Sequence, residues 1–299
     1  MGRIALNTLM NTSHSGTRLR QAPSSHLINA PGLILCATVL LLSLLTYSSD
    51  AASSEKAINL REAVVVTRLG ELPRAEQSAA TVLIEEVEKR TGIRLHSSTS
   101  WPAGKVVIAI TSQTNVPEWG RDVPQRVGAG LPETRAEGYR IWVENGKVIW
   151  VIGDDARGVL YGVGQLLRRL DWAHGKLTIP NSLDLATAPV YPIRGHQLGY
   201  RATANSYDAW DVAQFDQYIR ELTFFGVNSI EGIPLHDSKP SPVMKLPRRE
   251  MNQAISGICE RYGLDYWAWI PADFDLTNAI KRVEMLDHCE QFLDRKSVV

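Results

Sequence analysis

Neither sign of charge is in excess: 32 lysines and arginines face 32 aspartates and glutamates. Without a basic field the chain cannot hold nucleic acid by counterion release, so nucleic acid is not an expected partner. Cysteine is scarce, three in 299 residues. With no CxxC and no His/Cys cluster at ligand spacing, a structural zinc site is unsupported, and neither metal nor cofactor is expected. The apolar run from Leu33 to Leu45 is shorter than the roughly 20 residues that span a bilayer. At 44% hydrophobic and 21% charged residues the composition excludes disorder and a collagen-like fibre. What remains is a globular protein long enough for one or two domains.

Residues 1–52 differ from the rest. Arg3, Arg18 and Arg20 precede the apolar run, and Ser49-Asp50-Ala51 offers a small-x-small cleavage site after it. This is the pattern of an export signal, so the mature chain is expected outside the cytoplasm, periplasmic or extracellular. The alternative is an uncleaved anchor over residues 33–47, which is then the sole expected membrane contact. Cys36 lies inside the run rather than at its end, which argues against a lipoprotein site. Cys259 and Cys289 remain. They can pair, but Cys259 shares the apolar side of a predicted helix with Ile255 and Tyr262, and two reduced thiols are favoured.

Residues 55–188 read as a small α/β domain, a sheet with helices on one face. Ala63 to Thr67 is a buried strand, and Lys105 to Thr111 and Ile93 to Leu95 are two more. Over residues 77–91, Ala80, Leu83, Ile84 and Val87 fall on one helical face, with Glu85, Glu86, Glu88 and Lys89 opposite; Gly92 ends the helix. Residues 112–136 have the proline and glycine content of a loop. Two alternating runs then flank Asn145-Gly146, the signature of a tight hairpin, and a helix follows over residues 155–170. Its Gly158, Gly162 and Gly164 match neither GxGxxG nor a P-loop. They lie within the apolar pattern of Val159, Val163, Leu166, Leu167 and Leu170, so the expectation is close helix-on-sheet packing rather than phosphate binding.

Three motifs in this region carry a family resemblance. Glu137-Gly138-Tyr139 opens the hairpin, Gly158-Val159-Leu160-Tyr161-Gly162 sits in the helix, and Gln165-Leu166-Leu167 closes it. The stretch resembles the end of the small domain that precedes the catalytic barrel in bacterial β-N-acetylhexosaminidases and in α-glucuronidases of glycoside hydrolase family 67. Glu86-Val87-Glu88-Lys89-Arg90-Thr91-Gly92 also resembles the E-x-E-K-R-T-G pattern of the α-glucuronidase amino-terminal domain. The resemblance covers about residues 60–185 and identifies a domain rather than an activity.

Pro189 and Pro192 mark a linker, after which strands and helices alternate. Strands are expected at Ile193 to Leu198, Val227 to Ile230 and Leu264 to Ile270. Helices are expected at 211–225, with Val212, Phe215, Ile219 and Leu222 on one face, at 248–262, and from Asn278 onward. Repeated βα units imply a parallel sheet. With the resemblance they imply that residues 189–299 are the first units of an incomplete (β/α)8 barrel. A full barrel takes roughly 250 residues, and 108 remain from residue 192. The expectation is a truncated product or a partial sequence whose catalytic carboxylates lie beyond residue 299.

Barrel active sites sit on the loops after the strands. The candidates there are His196, Gln197, Tyr200 and Arg201 after the first strand, Glu231, His236 and Asp237 after the second, and Trp267, Trp269, Asp273 and Asp275 after the third. Arg194, His196, Tyr200, Glu231, Trp267 and Asp273 are the expected sugar contacts, with no catalytic residue assigned. Barrel packing is the alternative for Trp267 and Trp269. The resemblance gives Arg194-Gly195 as the R-G strand by which hexosaminidases hold sugar hydroxyls, with a salt bridge at the barrel base as its alternative. The hexosaminidase D-x-x-R and the α-glucuronidase W-D-N are both missing after this strand. The resulting expectation is an exported glycoside hydrolase fragment acting on oligosaccharide or polysaccharide, α-glucuronidase-like on xylan or a related glycan. An N-acetylhexosaminidase-like substrate class, or a non-catalytic carbohydrate-binding envelope protein, is the alternative.

Overall fold

The structure is a computed structural model describing residues 57–112, 117–119, 121–124, 135–198, 206–234, 241–268, 275 and 277–293. Strands β1 (Ala57–Asn59) and β2 (Val64–Thr67) lead into helix α1 (Arg74–Thr91), followed by β3 (His96–Ser98) and β4 (Val107–Thr111). A small ladder, β5 (Pro117–Glu118) with β6 (Arg121–Asp122), lies in the long loop. The hairpin β7 (Tyr139–Glu144) and β8 (Val148–Gly153), helix α2 (Ala156–Arg169), and strands β9 (Asp171–Ala173), β10 (Lys176–Pro180) and β11 (Asp184–Thr187) complete the first part. Then come β12 (Gly195–Gln197), α3 (Val212–Phe224), β13 (Ser229–Glu231), α4 (Arg248–Tyr262), β14 (Asp265–Trp267) and α5 (Ala279–Leu293).

Six strands form one mixed sheet in the order β11-β7-β8-β4-β2-β3, with β8, β4, β2 and β3 parallel. Asn145 and Gly146 take φ angles of 51° and 65°, which let the two-residue turn follow the twist of its strands. Alternation divides the sheet's side chains between two layers. Val65, Ile108, Ile110, Ile141, Ile149 and Val151 pack with α1 and α2 in one core. On the other face no helix lies among the described residues; Val66, Val107, Ala109, Trp150 and Ile152 pack with Trp101, Trp119 and Trp142. The sheet thus has its helices on one face and a layer of indoles on the other. The strands β1, β10 and β9 form a separate antiparallel sheet.

The glycines of α2 act by close approach. A Cβ on Gly158 would collide with the Gly138 carbonyl, one on Gly162 would lie 2.8 Å from Val151, and one on Gly164 would lie 2.5 Å from Phe224 Cα. Two of these contacts join helix to sheet, as the sequence implies. The third joins α2 to α3, a contact between distant segments that local periodicity does not contain.

In the second part β12, β13 and β14 form a parallel sheet in sequence order. Helix α3 begins with a capping box between Asp211 and Gln214, which satisfies two backbone donors at its start. Helices α3 and α4 pack on this sheet and, on their other side, against α2 and α1. The hydrophobic core runs without interruption from Ile58 to Leu264 and includes Cys259, buried with Ile255 and Tyr262.

The structure departs from the sequence reading in several places. Glu86 is wholly buried rather than on a solvent face, because α3 covers that side of α1: its carboxylate pairs with Arg90 and with Arg220, and accepts from Gln217 at 3.3 Å. Val212, expected inside, is 37% exposed at the first turn of α3. The strand expected at Ile93 to Leu95 begins at His96; Ile93 and Leu95 are buried ahead of it. The export or anchor segment 1–52 and the side chain of Cys289 lie outside the described residues. Among the described residues no helix is long and apolar enough to cross a membrane.

Candidate functional site

The three parallel strands present two rows of side chains on the face away from the helices. In register, Gly195 lies beside Ser229 and Ser229 beside Asp265; two residues further along, Gln197 lies beside Glu231 and Glu231 beside Trp267. The residues between them, His196, Ile230 and Tyr266, point toward the helices. Gln197 Nε2 donates to Glu231 Oε1 at 3.0 Å, and Trp267 remains 49% exposed. An amide paired with a carboxylate offers donors and acceptors to neighbouring hydroxyls, and an adjacent indole offers a flat apolar face. That combination suits a sugar ring, whose edges are polar and whose C–H face is not.

His196, expected among the ligand contacts, faces the other way. Its Nε2 lies 2.9 Å from Tyr218 Oη and 3.5 Å from Tyr207 Oη, and the two hydroxyls are 3.2 Å apart. Burial holds the imidazole below its ordinary range. Burial, with the neighbouring Tyr207, pushes Tyr218 up to about 12. This cluster packs β12 against α3. Tyr266 hydrogen-bonds Asn252 Oδ1 of α4 at 2.6 Å, and burial raises its phenol as well.

Arg194, expected as a sugar contact, forms a salt bridge with Glu137 at the base of the sheet. Its guanidinium pairs with Glu137 and donates to the carbonyls of Gly226 at 2.6 Å and Tyr191 at 2.8 Å, so the fork expected to hold sugar hydroxyls is occupied by protein acceptors. Glu137 is 8% exposed and also accepts from Arg157 at 3.2 Å and from Asn228 Nδ2 at 3.2 and 3.3 Å. Its own backbone N–H reaches Asp155 Oδ2 at 2.7 Å, while Asp155 Oδ1 caps α2 through Gly158 N at 2.8 Å. Arg157 continues to Asp265 at 2.7 Å and to the Gly263 carbonyl at 2.5 Å. Burial opposes the charge on Arg157, but its hydrogen bonds to Asp265 and Glu137 prevail and raise it. Tyr161 donates to the Val227 carbonyl at 3.1 Å, and burial followed by the Glu137 charge raises its phenol. The E-G-Y and G-x-x-Y-G motifs are therefore the joint between the two parts. Removing one member of such a buried pair typically costs about 3–5 kcal/mol.

Of the six expected contacts, the structure brings Glu231 and Trp267 together and separates Arg194 and His196 from them. Tyr200 and Asp273 lie outside the described residues, as do Arg201, His236, Asp237 and Trp269. Asp275 is turned to its own chain, accepting from Thr277 N at 2.9 Å and Thr277 Oγ1 at 2.7 Å. Gln197, left out of the expected contacts, belongs with Glu231. The signal for it is strand register, since both are the third residue of their strands. Among the described residues no group of three His, Cys, Asp or Glu is placed to hold a metal ion.

Comparison with known proteins places the small domain. Residues 51–183 match the model of glycosyl hydrolase family 20, domain 2. Comparison with curated protein sequences finds no match. Among solved structures, a family GH115 4-O-methyl-α-glucuronidase with specificity for decorated arabinogalactans aligns over 81% of this chain and 35% of its own, at 14% identity and a TM-score of 0.52. CpGH84B aligns over 81% and 40%, at 15% identity and a TM-score of 0.51. A GH20 exo-β-N-acetylglucosaminidase from Vibrio harveyi aligns over 72% and 34%, at 15% identity and a TM-score of 0.48. The chain thus spans well under half the length of each, and at these identities the likeness to the first two is one of fold. The chain carries an amino-terminal domain of the glycoside hydrolase type, matched over residues 51–183 to the second domain of glycosyl hydrolase family 20.

Proposed function

We propose that this chain is part of an exported glycoside hydrolase, with residues 195–293 forming the first three βα units of a (β/α)8 barrel. The open face of β12–β14 is its sugar-facing side. The observation that carries this reading is the row Gln197, Glu231 and Trp267, an amide, a carboxylate and an exposed indole in register at the carboxyl ends of three parallel strands. Ligands of open and closed α/β sheets gather at that end. The matched small domain and the chain's limited coverage of larger glycoside hydrolases support the assignment as part of such an enzyme. The substrate we favour is a xylan or related plant or cell-wall glycan of the α-glucuronidase-like class. Catalytic carboxylates remain unassigned, and the run from Leu33 to Leu45 supports export.

Titration of the 299-residue chain with glucuronoxylan, arabinogalactan and chito-oligosaccharides, followed by calorimetry, tests the site. Saturable binding is expected to one of them, weakened about tenfold or more by Trp267→Ala or Glu231→Gln, equivalent to about 1.4 kcal/mol. Absence of binding to all three, or binding indifferent to both substitutions, would sink the reading. Turnover of aryl glucuronides or aryl N-acetylhexosaminides by this chain alone would place the catalytic carboxylates within it. Recovery from the periplasm at full mass, without loss of the first 50 or so residues, would favour the anchor over the cleaved signal.

A second reading, a non-catalytic glycan-binding protein, is favoured by the partly exposed Trp101, Trp119 and Trp142 of the small domain. Binding that survives Trp267→Ala but is lost in Trp101→Ala would select it.

A further inference from the structure

Three-residue strands hold their register weakly. Each of β12, β13 and β14 has few ladder bonds, and a slip of one residue turns every side chain to the opposite face. Such a slip would carry Gln197, Glu231 and Trp267 away from the open side and put their neighbours there. The covered row of His196, Ile230 and Tyr266 already favours one pairing, and the joint is placed to reinforce it.

The small domain reaches the amino-terminal end of every one of these strands. Glu137 pairs with Arg194, the residue before β12, and accepts from Asn228, the residue before β13. Asn228 in turn accepts the Arg194 backbone N–H at 2.8 Å and donates to the Pro192 carbonyl at 2.7 Å. Arg157, itself paired with Glu137, holds Asp265, the first residue of β14, and the Gly263 carbonyl just ahead of it. One carboxylate and one guanidinium therefore grip three strands within two residues of their starts. A second buried carboxylate, Glu86, holds α3 through Arg220. Arg220 Nε in turn donates to Tyr262 Oη of α4 at 2.9 Å.

We infer that Glu137 is a positioning residue: through Arg194, Asn228 and Arg157 it makes the small domain the template that sets the register of β12–β14, and so the alignment of Gln197, Glu231 and Trp267. This goes beyond the glycan reading and stands whichever sugar the open face takes. A carboxylate serves here because it accepts from three donors at once, while its amide isostere has one acceptor oxygen and two donors. Glu137→Gln keeps the shape and loses the match.

Amide hydrogen exchange on the full chain tests it. The reporters are Leu198 N–H, bonded to the Glu231 carbonyl, Gly232 N–H, bonded to the Trp267 carbonyl, and Asp265 N–H, bonded to the Asn228 carbonyl. In Glu137→Gln these three should exchange at least about tenfold faster, the effect of about 1.4 kcal/mol or more of local stability, while amides of β4 and β8 keep their protection. Glu76→Gln is the matched control. Glu76 is also buried in the small domain but paired with Arg68 and Ser112, away from β12–β14. Arg157→Lys, a milder change, should confine the rise to Gly232 and Asp265. The inference fails if Glu137→Gln raises exchange alike in both sheets or in neither, if Glu76→Gln gives the same selective rise, or if Arg157→Lys leaves Gly232 and Asp265 unchanged.

Discussion

Trp150 and Trp267 both stand on strands in parallel ladders, yet the first is wholly buried and the second 49% exposed. Trp150 lies with its ring centre 5.7 Å from Trp101, 6.4 Å from Trp119 and 5.9 Å from Trp142. Trp267 has Glu231 beside it and is half exposed. Among the described residues the six-stranded sheet is closed on both faces, by helices and by indoles, whereas the three-stranded sheet is closed on one. Closure of the first builds stability; the open face of the second leaves polar and aromatic groups available for recognition. The same residue type therefore holds the fold in one sheet and offers a surface in the other.

The largest expected effect is on the closed sheet. Trp150→Ala should destabilise the chain by about 3–5 kcal/mol, as loss of a buried indole does, measured as a shift in the urea midpoint at unchanged slope. A loss near zero would mean that the indole layer does not support the sheet. Next in size is Gly158→Ala. Its Cβ meets the Gly138 carbonyl at the joint, so about 1–3 kcal/mol should be lost to overpacking, against a small gain expected if the position were an ordinary helix site.

A smaller effect concerns the covered face of the open sheet. The His196 pKa is depressed by burial from 6.5 in the folded chain. Above that value both folded and unfolded imidazoles are neutral and the packing is undisturbed. As the pH falls below it, the unfolded chain takes up the proton first, so stability declines until the folded pKa is passed. His196→Gln should flatten this decline below about pH 6.5; an unchanged slope would assign the decline to other groups. Smallest in stability terms is Trp267→Ala, expected within about 0.5 kcal/mol of the parent while glycan affinity falls. A stability loss like that of Trp150 would erase the contrast between the two sheets.

Local pattern made much of this legible. Helix α2 is readable because Val159, Val163, Leu166 and Leu167 repeat at helical spacing and Asp155 caps it, and the Asn145-Gly146 turn is readable because few residues accept its φ angles. The helices of the first two βα units show through Phe215 and Ile219, and through Ile255 and Ile258, in the same way. Strands β1, β9 and β11 were not legible, since AIN, DWA and DLAT are short and half polar, and pairing rather than composition makes them strands. Glu86 reads as a solvent residue because a buried carboxylate looks like any other until Arg220, 134 residues away, is placed beside it. Arg194 and His196 were expected to face the sugar, whereas Arg194 pairs with Glu137 and His196 points toward α3. Alternation fixes relative faces, and only the packed helices say which face is the open one.

The six-stranded sheet is finished at Thr187, and α3 and α4, which cover α2 and α1 respectively, end at Phe224 and Tyr262. A ribosome adding roughly 5–20 residues per second emits the intervening chain over several seconds. During that interval the side of α2 that carries Gly164 and the side of α1 that carries Glu86 are still uncovered. The nascent protein therefore passes through a stage with a completed sheet and an uncovered docking face, and that stage is where chaperones or aggregation would compete for it.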